Sequence, residues 1–116
     1  MVPPPTNHHD RAFLQAIRRL VEERLGDPDL CLDDLCRAVH LCRTQVYRRL
    51  KKLTGLSPTE YIQRARLERA RQLLSSTGKP VSEVGYEVGF RDPAYFSRVF
   101  KTKFHLSPTD FRRSLQ

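Results

Sequence analysis

The sequence predicts an all-α protein of seven helices, arranged as two helix-turn-helix subdomains of three-helix type joined by a long linker helix. Three observations predict it. A helical phrase occurs twice: Leu32/Val81, Leu35/Val84, Val39/Val88 and Leu41/Phe90 match at one offset, and Val46/Phe96, Leu50/Phe100, Leu56/Leu106, Ser57/Ser107 and Pro58/Pro108 match at an offset one residue longer. Apolar residues recur at helical spacing from Phe13 onward, and no segment alternates as a strand would. Two Ser-Pro-Thr-acid boxes, at Ser57 and Ser107, stand where a helix should start.

The elements follow in order. Residues 1–9 open with three consecutive prolines and are expected to be a linker stub, not a targeting peptide, as though this were a piece of a longer protein. Helix 1 is expected from Asp10 to Arg24, with Phe13, Ile17, Leu20 and Val21 on one stripe, ended by Gly26. Helix 2 is expected from Leu32 to Val39. Asp33 and Asp34 sit in its favourable first turn, and Cys31 stands weakly where a Ser or Asp cap belongs. Helix 3 runs from Arg43 to Leu53, with Val46, Leu50 and Leu53 inward. Helix 4 runs from the Ser57 box to near Ser76, with Arg64, Arg66, Arg69 and Arg71 on a face expected to be solvated or paired with Glu68. Helices 5 (Val81 to Val88), 6 (Pro93 to Phe104) and 7 (Pro108 to Leu115) repeat helices 2, 3 and the start of 4. The subdomains are thus expected at 10–56 and 78–116, with 57–77 between them.

Charge narrows the function. The net charge is +8, and it is unevenly placed: residues 1–36 hold four Lys/Arg against seven Asp/Glu, and residues 37–116 hold seventeen against six. The excess begins where the first reading helix would begin, which suits a polyanionic partner. Cys31, Cys36 and Cys42 lack a C-x2-C pair and fit no common zinc spacing, so they are expected to be reduced thiols, and no metal or cofactor is expected. His8, His9, His40 and His105 are scattered, no nucleophile–base set is present, and the chain is not expected to be an enzyme. RNA is the weaker polyanion, because no aromatic strand platform is in evidence.

A helix-turn-helix unit makes specific demands. A small residue is needed where its two helices cross, and Cys36 and Gly85 hold those positions. A residue tolerant of positive φ is needed in the turn; Gly89 meets this, and His40 at the matching site should cost about 1 kcal/mol relative to glycine. Val46/Leu50 and Phe96/Phe100 anchor the second helices from beneath at i, i+4 spacing.

The stretch VSEVGYEVGFRDPAYFSRVFKTKFHLSPTDFR resembles the signature of AraC/XylS-type transcriptional activators, and the resemblance extends over roughly Phe13 to Arg113. The segment IRRLVEERLGDPDLCLDDL is similar to the effector domains that end hybrid two-component regulators. The resemblance implies that helices 3 and 6 enter consecutive major grooves of double-stranded DNA. The first reader then offers Arg43, Thr44, Gln45, Tyr47 and Arg48 to bases. The second offers Asp92, Pro93, Ala94, Tyr95, Ser97 and Arg98, of which Pro93 and Ala94 have no side chain to donate. Arg48 and Arg98 align, and arginine suits a bidentate contact with guanine. Lys51, Lys52, Lys101 and Lys103 are the expected phosphate contacts. Helix 4, about 19 residues at about 1.5 Å each, approaches the roughly 34 Å of one DNA turn. The implied function is sequence-specific DNA binding for transcription regulation, as the output domain of a larger cytoplasmic or membrane-anchored regulator whose N-terminal region dimerises. The alternative is a small stand-alone activator that mainly contacts RNA polymerase. No small-molecule ligand is expected in this domain.

Overall fold

The computed structural model describes residues 7–116; the proline stretch expected to form a stub lies outside the described residues. Among the described residues there are seven α-helices and no strand: α1 (His8–Glu23), α2 (Leu32–Val39), α3 (Arg43–Thr54), α4 (Pro58–Ser76), α5 (Val81–Glu87), α6 (Pro93–Phe104) and α7 (Pro108–Ser114). The all-α expectation holds. Two compact units result: Asp29–Gln63 with the described residues up to Arg24, and Leu25–Pro28 with Arg64–Gln116.

In the first unit, α1 starts two residues before the expected Asp10. Asn7 explains this, because its Oδ1 accepts the Asp10 N–H at 2.8 Å and caps the helix, so His8 and His9 are helical and not part of a stub. Phe13, Ile17 and Val21 bury one stripe of α1, and Leu30, Leu35, Val46, Leu50 and Ile62 complete the buried apolar set. Arg49 ties α3 to α1: its guanidinium lies 4.6 Å from the Phe13 ring centroid and 3.3 Å from Asp10 Oδ1.

The start of α2 is stronger than the sequence suggested. The Cys31 N–H donates to Asp34 Oδ2 at 2.9 Å, so the carboxylate caps the helix from within. Asp34 is buried, and Arg24 Nη1 approaches its Oδ1 at 2.9 Å while Arg37 binds the same oxygen. The backbone bond from Cys31, then the Arg24 guanidinium, hold its carboxyl down at about 2.

The second unit surrounds a core of Leu67, Ala70, Leu73, Leu74, Val84, Val88, Phe90, Phe96 and Phe100. Phe96 lies 5.1 Å from Phe90 and 5.8 Å from Phe100, ring centre to ring centre. Arg66 departs from expectation: it belongs to no solvated face, but turns inward to donate to the carbonyls of Leu25 at 3.3 Å and Asp27 at 2.8 Å. Arg112, on α7, donates to the carbonyls of Leu74, Thr77 and Lys79 where α4 ends.

Both copies turn between their short helices through a left-handed residue, His40 at φ 55° and Gly89 at φ 99°. The reading helices also end on left-handed residues, Gly55 at φ 78° and His105 at φ 67°. Each copy therefore has one glycine and one histidine in this conformation, at exchanged positions. Replacing His40 and His105 together by glycine should raise stability by about 1–2 kcal/mol and the melting temperature by several degrees. An unchanged or lower melting temperature in thermal unfolding would mean that the imidazoles contribute more than the strain costs.

Candidate nucleic-acid interface

The sequence folds each reading helix with one face fixed and the other open. On α3, Val46 and Leu50 are fully buried, which leaves Arg43, Thr44, Gln45, Tyr47, Arg48, Lys51 and Lys52 exposed. On α6, Phe96 and Phe100 are fully buried, and Ala94, Tyr95, Arg98, Lys101 and Lys103 are exposed. Ser97 is half-buried. Asp92 is committed at the helix start, where its Oδ1 accepts the Ala94 N–H at 2.9 Å. Gln45 has a comparable task, since its Oε1 accepts the Cys42 N–H at 3.3 Å.

The arginines are held in different ways. Arg43 Nε lies 3.4 Å from Asp33 Oδ1, a partner on α2 that sequence reasoning did not single out. Arg98 lies with its guanidinium carbon 5.4 Å from the centre of the Tyr95 ring, and that ring is 6.2 Å from the buried Phe90. A path of contacts thus runs from the core through Tyr95 to Arg98. Lys51 Nζ stands 3.8 Å from Glu60 Oε1, an exposed pair of little energetic weight. Leu32, Arg43, Thr44, Tyr47 and Arg48 together line an open recess of about 460 Å3 on the first unit.

A profile described as a helix-turn-helix domain matches residues 35–114. A solved transcriptional regulator with an AraC-type DNA-binding domain, from Chromobacterium violaceum, is 31% identical, with a TM-score of 0.86 over 94% of this chain and 96% of that one. The chain belongs to the AraC/XylS helix-turn-helix family. The transcriptional activator RhaS of Salmonella arizonae is 36% identical over 102 residues, covering 88% of this chain and 36% of that protein. Histidine kinase P4 of Formosa agariphila is 31% identical over 103 residues, covering 89% of this chain and 8% of the kinase. The chain therefore spans 8% to 36% of the length of these two relatives.

An AraC/XylS domain is a DNA-binding domain of transcription regulators and not an enzyme. Its polar side chains here make sense in that light. Arg71 pairs with Glu68 at 2.9 Å and Arg69 donates to Gln72 at 3.3 Å, so these two exposed arginines of α4 are held by neighbours on the same helix. Cys31, Cys36 and Cys42 are free thiols, and burial pushes the Cys36 thiol up. Among the described residues no group of three or more His, Cys, Asp or Glu is placed to hold a metal, and no helix is long and apolar enough to cross a membrane.

Proposed function

We propose that this AraC/XylS domain reads two successive half-sites of double-stranded DNA, one with α3 and one with α6, in consecutive major grooves. The observation that carries this reading is the repeated unit: each copy buries the inner face of its second helix and leaves a basic outer face, with Arg48 and Arg98 at matching positions. The 19 residues of α4 run from one unit into the other, those up to Gln63 belonging to the first and those from Arg64 to the second. Arg43, Thr44, Tyr47 and Arg48 meet bases in the first half-site, and Arg98, with Ser97 and Ala94 beside it, in the second. Gln45 and Tyr95 change roles. Gln45 caps its helix, and Tyr95 holds Arg98 in place. Lys51, Lys52, Lys101 and Lys103 meet phosphates. Because the two faces differ in sequence, the site need not be palindromic. Footprinting should reveal two protected major-groove segments about 10 bp apart, and a single short footprint would contradict the reading.

Arg98→Ala should lower affinity for the cognate site by about 1–3 kcal/mol and relax discrimination at one base pair, whereas Lys101→Ala should weaken all duplexes about equally. Tyr95→Phe should keep that discrimination and Tyr95→Ala should erode it. Equal losses of Arg98→Ala on cognate and random duplexes, in titrations at one fixed salt concentration, would refute its assignment.

The domain acts as the output part of a larger regulator, and a two-component sensor is the favoured host. This is supported by the likeness to a histidine kinase of which the matched region is a small part. A stand-alone activator that works mainly through RNA polymerase is not favoured. Contact with RNA polymerase and dimerisation through a separate region belong to the same proposal, as does a cytoplasmic location, where DNA is reached.

A further inference from the structure

The recess on the first unit does something that the hydrogen-bonding side chains of α3 do not. Its walls are Leu32 from the start of α2, and Arg43, Thr44, the half-exposed Tyr47 and Arg48 from α3. Most of what these groups present is hydrocarbon, yet two of the lining residues are arginines. The exposed carboxylate of Asp33 holds one of them, Arg43. An apolar surface beside two cations suits an apolar protrusion on a polyanion. In the major groove of DNA that protrusion is the 5-methyl group of a pyrimidine.

We propose that this recess seats a pyrimidine 5-methyl group, so that the first half-site is specified by a methyl contact as well as by hydrogen bonds. The inference rests on the DNA-binding reading above. It commits the two readers to different chemistry. At the positions matching Leu32, Arg43, Thr44 and Tyr47, the second copy has Val81, Pro93, Ala94 and Ser97. It lacks the large ring at that position and the second arginine, and keeps only the arginine shared by both copies. The first half-site should therefore hold a methylated pyrimidine beside the base read by Arg48, and methylation at the matching step of the second should matter less, because Ala94 and Ser97 offer it a smaller apolar surface than Thr44 and Tyr47.

The test begins with duplexes selected by the 116-residue chain from a random pool. In the selected sequence, each thymine is replaced singly by deoxyuracil, which removes the methyl and leaves the pairing edge intact. One position in the first half-site should lose about three- to fivefold in affinity, the value expected for one buried methyl. Where selection yields cytosine at that step, 5-methylation should instead raise affinity by a similar factor; this distinguishes thymine from 5-methylcytosine as the source of the methyl. Tyr47→Ser, which places the second copy's residue at an exposed position, should make the methylated and unmethylated duplexes bind alike. No response in the first half-site to removing a thymine methyl or, where cytosine is selected, to adding a 5-methyl overturns the proposal, as does an unchanged methyl preference in Tyr47→Ser. Failure to enrich any sequence would instead overturn the DNA-binding reading itself, so the two failures are distinguishable.

Discussion

Replacing Gly85 by valine should cost the second unit about 3 kcal/mol or more, a large part of the stability of a small domain. A Cβ at this position would lie 2.7 Å from Phe96 Cδ2 and 3.2 Å from Phe96 Cγ. The ring cannot step aside, because it is fully buried between Phe90 and Phe100. Overpacking a close-packed core commonly costs about 1–3 kcal/mol, and valine brings two methyls beyond the clashing Cβ. The first copy indicates how the clash is avoided elsewhere: Cys36 takes the glycine's place where Val46 takes that of Phe96. Gly85→Cys should therefore be damaging alone and far less so with Phe96→Val, with a favourable coupling of about 1 kcal/mol or more. Urea unfolding of the two single variants and the double variant measures this. Strict additivity would show that contact between these two side chains does not set the helix crossing.

Asp34→Asn should remove about 2 kcal/mol of stability at neutral pH and flatten the acid limb of the unfolding curve. The Asp34 carboxyl sits at about 2 in the fold against 3.8 ordinarily. A depressed carboxyl contributes stability that is fully present above the unfolded value and is lost as pH falls through the folded one, so the window lies between about pH 4 and pH 2. Arg24 is 39% exposed, which screens its share, whereas the bond from the Cys31 N–H is short and local. The wild-type advantage over Asp34→Asn should shrink steadily across that window in denaturant titrations at successive pH values. Parallel pH profiles for the two proteins would mean that the charge on Asp34 does not carry the contact between the end of α1 and the start of α2.

What could be read from the chain alone, and what could not, divides along sequence distance. The Ser57 box was legible because both of its bonds are local, the Glu60 N–H to Ser57 Oγ at 3.2 Å and the Ser57 N–H to Glu60 Oε1 at 3.2 Å. Gly85 and Gly89 were legible because the repeat set them against Cys36 and His40. The buried faces of α3 and α6 followed from helical spacing. Arg66 and Arg112 were not legible. Their partners are backbone carbonyls more than thirty residues away, and a carbonyl leaves no mark in a sequence. Asp34 was placed in the right turn, but its burial depends on Arg24 arriving from another helix. In the interface, the exposed side chains of α3 were anticipated, while the tether of Arg43 to Asp33 and the stacking of Arg98 on Tyr95 needed coordinates.

The bonds from Arg112 set an order of events during synthesis. The carbonyls of Leu74, Thr77 and Lys79 leave the ribosome well before the guanidinium that satisfies them. Until α7 emerges, the C-terminal end of α4 has to be hydrated by solvent, and the aromatic cluster below it lacks Phe111, which packs 5.7 Å from Phe100. The second unit is then open to proteases and chaperones until α7 emerges, and a stop shortly before Arg112 would leave that unit a substrate for degradation.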